Sequence, residues 1–115
     1  MSLSKLEMRG KRKRRIRKKI SGTPECPRLS IYKSLKYVYA QIVDDISGKT
    51  LAFAHSMENK KGGSNKQAAS QVGALIAQKA KSLNIQKVAF DRNGYLYHGV
   101  VQSLAEAARK EGLKF

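Results

Sequence analysis

Arg28-Leu29-Ser30-Ile31-Tyr32-Lys33-Ser34-Leu35-Lys36-Tyr37-Val38-Tyr39-Ala40-Gln41-Ile42-Val43 is the stretch whose pattern decides the fold. Leu29 and Ile31 alternate with Ser30 and Tyr32, and beyond a turn near Ser34-Leu35-Lys36 the residues Val38, Ala40 and Ile42 share one side. Successive side chains of a strand point to opposite faces, so this period of two predicts a β-hairpin with an aliphatic inner face. Its outer face carries Tyr32, Tyr37, Tyr39 and Gln41. The turn formers Asp44-Asp45-Ile46-Ser47-Gly48 and the run Thr50 to His55 extend the hairpin into a three-stranded antiparallel meander.

Downstream the period lengthens. A polar loop, Glu58 to Gly63, precedes Ser64-Asn65-Lys66-Gln67, which has capping-box spacing with Ser64 as N-cap and Gln67 reaching back. Ala69, Val72, Ile76, Ala80 and Leu83 recur at steps of three and four, predicting a helix that stops at Asn84, with Gly73 permitting close approach. Ile85 and Val88-Ala89-Phe90, closed by Asp91-Arg92-Asn93-Gly94, read as a short fourth strand. Strand, helix, strand favours parallel pairing for it. Val101, Leu104, Ala105 and Ala108 predict a second helix from Gly99 to Glu111, with Gly112 as C′. The expected fold class is α/β, a mixed four-stranded sheet made of the meander plus one parallel strand, with two helices.

Upstream, composition takes over from pattern. The chain has 115 residues with 24 Lys+Arg, 8 Asp+Glu and a net charge of +16. Residues 1–27 and 28–115 carry +8 apiece, so the first segment is more than three times as charged per residue. Nine of the eleven residues from Arg9 to Lys19 are basic: Arg9, Lys11, Arg12, Lys13, Arg14, Arg15, Arg17, Lys18 and Lys19. With so few apolar groups this run is expected to be an extended arm when alone in water, ended by Gly22, Pro24 and Pro27. The division is therefore a basic arm over 1–27 and a globular part over 28–115.

Such a surplus of cations implies a polyanion as partner, since clustered Lys and Arg neutralise phosphates and release counterions. No apolar run approaches the roughly 20 residues of a membrane span, and the arm lacks the spaced apolar groups of a membrane-surface helix. One cysteine, Cys26, with His55 and His98 far off, builds neither an internal disulfide nor a standard zinc site. Asp44, Asp45 and Asp91 are a poor metal-nuclease set, because two of them are adjacent in a turn. No phosphate-binding glycine loop is present. Neither an enzyme nor a cofactor or small-molecule substrate is expected. The loop Asp91 to Gly99 mixes Arg92, Tyr95, Tyr97 and His98, groups that stack on unpaired bases and donate to phosphates. Tyr95 and Tyr97 share the parity of an extended segment and are expected on one side.

Several stretches carry a resemblance: Gly22-Thr23-Pro24-Glu25, Pro27-Arg28-Leu29-Ser30, Tyr39 to Asp45, Gly48-Lys49-Thr50-Leu51-Ala52, Phe90 to Gly99 and Leu104 to Phe115. In order and through essentially the whole chain they resemble the bacterial-type large-subunit ribosomal protein number eighteen family. The resemblance implies a ribonuclease H-like arrangement and a non-enzymatic protein that binds 5S rRNA and helps attach it to 23S rRNA in the central protuberance, beside neighbouring large-subunit proteins. It implies a cytoplasmic setting in the large subunit, of a bacterial or an organellar ribosome. It assigns RNA contacts to the basic arm, to Arg28, Lys33, Ser34, Lys36 and Tyr37, to Asn65 and Lys66, and to Arg92, Tyr95, Tyr97 and His98. Cys26 and Val100 depart from it, since the family commonly has arginine at both. The rival expectation is a free DNA- or RNA-compacting basic protein, which the missing helix-turn-helix and dimerising heptads disfavour.

Overall fold

The computed structural model describes residues 5–19, 22–34, 36–56 and 65–115, and for residues 5 and 16–19 the backbone alone. In chain order the elements are α1 (Lys5–Lys19), β1 (Arg28–Lys33), β2 (Val38–Asp44), β3 (Lys49–His55), α2 (Lys66–Ser82), β4 (Ala89–Asp91) and α3 (Val100–Lys110). The sheet order is β3-β2-β1-β4. β1 to β3 form the expected antiparallel meander, with Leu29 opposite Ile42 and Tyr32 opposite Tyr39. β4 runs parallel to β1, Arg28 facing Ala89.

The period of two becomes a two-sided sheet. Leu29, Ile31, Val38, Ala40, Ile42, Ala52 and Ala54 are buried on the inner face, under α2 and α3. Val72 and Ile76 of α2 and Val101 and Leu104 of α3 close the core. Each large aliphatic side chain so buried contributes about 1.5–3 kcal/mol. Alanines at 69, 77, 80 and 108 keep the helices close to the sheet and to each other.

Closest approach falls at Gly73, where a Cβ would collide with the Leu104 carbonyl of α3. Backbone cannot give way as a flexible side chain can. Gly73→Ala is therefore expected to cost about 1–3 kcal/mol by overpacking, although alanine is about 1 kcal/mol the better helix former. Thermal unfolding checks this, and an unchanged or raised Tm would show that the two helices slide apart freely.

Element ends follow local chemistry. Asn65 is the N-cap of α2, its Oδ1 accepting from Ala68 N at 2.8 Å. The cap thus lies one residue beyond the expected Ser64, which is outside the described residues together with the loop Glu58 to Gly63. Asn84 and Gly112 follow α2 and α3 at φ of 60° and 105°, the left-handed backbone expected at helix stops. β4 is shorter than the run Ile85 to Phe90 suggests, because Ile85 N donates back to Ala80 O to close α2. Lys87 instead bridges to Lys114, tying the last residues to the sheet edge.

The largest difference is at the N-terminus. Composition predicts an extended segment; the structure has a helix over Lys5–Lys19. Lys and Arg are good helix formers, and the missing tertiary contacts come from two arginines rather than from apolar groups. Arg9 Nε donates to Asn93 O at 3.2 Å and Arg12 Nε to Gly94 O at 2.8 Å. A Cβ at Gly94 would collide with the Arg9 carbonyl. α1 therefore rests directly on the backbone of the 92–95 turn, while Leu6 and Met8 stay exposed.

Candidate nucleic-acid interface

The turn between β1 and β2 is built by its serine. Ser34 N and Oγ both donate to Tyr37 O, and Ser34 Oγ accepts from Tyr37 N. Tyr95, 62 residues beyond Lys33, reaches this turn: its hydroxyl donates to Lys33 O at 3.0 Å and accepts from Lys33 N at 3.1 Å. The Arg9 guanidinium lies over the Tyr95 ring, 3.9 Å from its centroid. An open groove of about 750 Å³ results, lined by Tyr32, Lys33, Ser34, Lys36, Tyr37 and Tyr95. It offers exposed ammonium groups beside ring faces, the combination that holds a phosphate chain and stacks its bases. Ser34 and Tyr95 shape the groove, and Lys33, Lys36 and Tyr37 are the groups left to meet a ligand.

α1 presents a second cationic surface. Lys11, Lys13, Arg14 and Arg15 are exposed, and Lys11, Arg12, Arg14 and Arg15 line a shallow depression of about 500 Å³. Arg9 and Arg12 are half-buried because they hold the helix down. Arg17, Lys18 and Lys19 continue α1, with side chains outside the described residues.

Arg28 is placed differently from its sequence assignment. It is buried, and its guanidinium is enclosed by carboxylates: Nε and Nη2 donate to the two oxygens of Asp45, each at 3.0 Å, and Nη1 to Asp91 Oδ2 at 2.8 Å. Asp45 and then Asp91 hold the guanidinium above the ordinary arginine range, against the opposing effect of burial. An arginine bonded in this way braces β1 against β4 and the β2–β3 turn rather than meeting RNA. Asp44 is spent likewise, its carboxylate accepting from Ile46 N and Ser47 Oγ. All three aspartates of the imagined nuclease set thus have structural work.

The 91–99 loop spreads its side chains in two directions. Tyr95 goes to β1 and α1, whereas Tyr97 packs edge-on against Phe90 and accepts from Arg109 Nη1 at 3.2 Å. Shared parity does not put them together, since backbone bonds Tyr95 N→Arg92 O and His98 N→Leu96 O bend the segment. Arg92 Nη1 donates to Tyr95 O and stiffens that bend. His98 is exposed, and the Lys66 chain runs alongside Gly99, so Asn65, Lys66 and His98 form one rim. Tyr97 is 42% exposed. Tyr97→Ala is accordingly expected to lower RNA affinity by about 1–2 kcal/mol, the loss of one stack, with little change in Tm. Titration and melting of the same variant check it, and a large melting shift at unchanged affinity would make Tyr97 a packing residue.

Phe53 and His55 fall outside the sequence assignment, although β3 signals them by alternating with buried Ala52 and Ala54. Their rings join Tyr32, Tyr37 and Tyr39 on the outer face, with centroids 5.3–6.3 Å apart. Among the described residues no group of three His, Cys, Asp or Glu is arranged to hold a metal, and no helix is long and apolar enough to cross a membrane. Cys26 is a half-buried free thiol.

Comparison with known proteins places the chain among its relatives. A family model described as ribosomal L18 of archaea, bacteria, mitochondria and chloroplasts matches residues 3–115. The large ribosomal subunit protein uL18 of Myxococcus xanthus is 60% identical over 116 residues, covering 97% of this chain and 98% of its own. Those of Sorangium cellulosum and Pediococcus pentosaceus are 57% and 54% identical, over 96% of this chain and 98% and 95% of theirs.

Proposed function

Because the chain belongs to the L18 family of ribosomal proteins, and is thereby a structural constituent of the cytoplasmic large ribosomal subunit rather than an enzyme, we propose that it binds 5S rRNA and helps attach it to 23S rRNA in the central protuberance. Residues 1–27 act as the RNA-binding arm and 28–115 as the part that reads RNA shape. Lys11, Arg14 and Arg15 meet phosphates. The groove supplies Lys33, Lys36 and Tyr37, and the rim Asn65, Lys66, Tyr97 and His98. The order β3-β2-β1-β4, with β4 parallel to β1, supports a ribonuclease H-like arrangement.

One observation carries the reading: Tyr95 closes onto Lys33, so two remote segments form a single cationic, aromatic groove beside the basic helix. A DNA-compacting protein needs the charge alone. RNA loops and bulges, with unstacked bases, also need the rings. Competition binding tests this: the full chain is expected to prefer 5S rRNA over duplex DNA of equal length at physiological salt. Equal affinity for both would favour the compacting reading.

A further inference from the structure

Between α1 and the outer face of the sheet lies a recess of about 370 Å³ that the groove does not account for. Tyr32, Tyr39 and Phe53 wall it, Gln41 and Asn93 line it, and Lys13 of α1 stands at its rim. Strand register assembles it, since Tyr39 faces Tyr32 across β1–β2 and Gln41 faces Phe53 across β2–β3. The ring centroids of Tyr39 are 5.7 Å from Tyr32 and 6.2 Å from Phe53. Its volume lies in the range of small-ligand sites, about 300–1,000 Å³.

Asn93 makes this recess more than a gap. The residue is 8% exposed, and its Oδ1 is buried without a hydrogen-bond donor among the described residues. Its backbone is fixed on both sides, N–H donating to Asp91 Oδ1 and C=O accepting from Arg9, at φ of 53°. A buried acceptor left without a donor costs about 1–3 kcal/mol. A ligand that brings an N–H recovers that cost.

We propose that the recess receives one unpaired base of 5S rRNA bearing an exocyclic amine, the amine donating to Asn93 Oδ1, the ring packed among Tyr32, Tyr39 and Phe53, and the adjoining phosphate at Lys13. This rests on the 5S rRNA reading above and gives it a specific subsite. Tyr32 lines both the recess and the groove, so a strand lying in the groove passes directly over the opening. A phosphate alone does not fit the ring walls and brings no donor, and uracil has no exocyclic amine: its one donor, the ring N3–H, is flanked by two carbonyls that would be turned toward the same acceptor.

The test is chemical probing of 5S rRNA, free and bound to the full chain. Dimethyl sulfate reads adenine N1 and cytosine N3, kethoxal reads guanine, and a carbodiimide reads uracil. One unpaired adenine, cytosine or guanine is expected to be protected by the wild-type protein. It should regain its free reactivity with Asn93→Gly, which keeps the positive φ and removes the acceptor, while the rest of the footprint persists and affinity falls about tenfold, as for one buried hydrogen bond. Tyr39→Leu, on the solvent face of the sheet, should release the same base. A complex in which no base responds to either variant, or in which only a uracil does, overturns the proposal. Failure to form any complex overturns the 5S rRNA reading and this subsite with it.

Discussion

Replacing Asp91 by alanine is expected to cost the free protein about 3–5 kcal/mol, because two buried donors, Arg28 Nη1 and Asn93 N, lose their acceptor at about 1–3 kcal/mol each while Arg28 keeps only the partly exposed Asp45. The carboxylate is fully buried, takes Arg28 Nη1 at 2.8 Å and caps the following turn through Asn93 N at 2.9 Å. Domains of this kind have about 5–15 kcal/mol in all, so the variant should be unfolded at modest urea concentration. Asp45→Ala removes two bonds to the same guanidinium but should cost less, because the Asp45 side chain is 29% exposed and water can replace it. The raised Arg28 value sets the pH dependence. A cation whose value rises on folding stabilises everywhere below its ordinary range and loses that contribution only above its folded value. Arg28 should therefore add no slope to stability through the neutral range. Urea midpoints for Asp91→Ala, Asp45→Ala and a double variant, Arg28→Met with Asp91→Leu, check the argument. The double variant should recover much of the loss, since it removes the buried donor that Asp91 satisfied and fills the space with apolar groups. A deficit as large as that of Asp91→Ala alone would show that the unpaired guanidinium is not the source of the loss.

Changing Lys11, Arg14 and Arg15 together to alanine should weaken 5S rRNA binding about a hundredfold at physiological salt. All three are exposed on α1, and among the described residues the side-chain bonds that hold the helix to the turn beneath it are those of Arg9 and Arg12. Each phosphate neutralised contributes roughly 0.7–0.9 to the slope of log affinity against log salt. With three phosphates no longer neutralised, that slope should flatten by about two to three units, with no change in Tm. Arg9→Ala and Arg12→Ala should act in another way, by freeing α1 from Asn93 O and Gly94 O. Salt-dependent titrations separate the two cases. An unaltered slope in the triple variant would mean that this face of α1 does not touch phosphate.

These two sites also show where sequence stops being readable. The hairpin was legible because a strand's neighbours are two residues apart, so Leu29, Ile31, Val38, Ala40 and Ile42 announce their face locally. Helix stops at Asn84 and Gly112 were legible for the same reason. Arg28 was not, because its partners are 17 and 63 residues away, and a cation beginning a strand looks the same whether it faces solvent or aspartate. The helical state of α1 depends on carbonyls more than 80 residues downstream. Tyr95 and Tyr97 part because two short backbone bonds interrupt their alternation, which no parity rule anticipates. On the site itself, the charge of α1 and the aromatic character of the 91–99 loop were visible in advance. The closure of Tyr95 onto Lys33 was not.

The seat of α1 on Gly94 has a consequence for the chain's own birth. Arg12 is made 82 residues before the carbonyl that receives it. At roughly 5–20 residues per second this leaves the basic segment without its dock for about 4–16 s of synthesis. During that interval it emerges as a concentrated polycation within reach of the RNA of the particle producing it, and nothing in its own fold yet occupies Arg9 or Arg12. Docking then withdraws Arg9 and Arg12 alone, leaving Lys11, Arg14 and Arg15 exposed on the helix. Completion of the 92–95 turn is thus what turns two of the segment's cations into anchors, with Gly94 the point of closest approach.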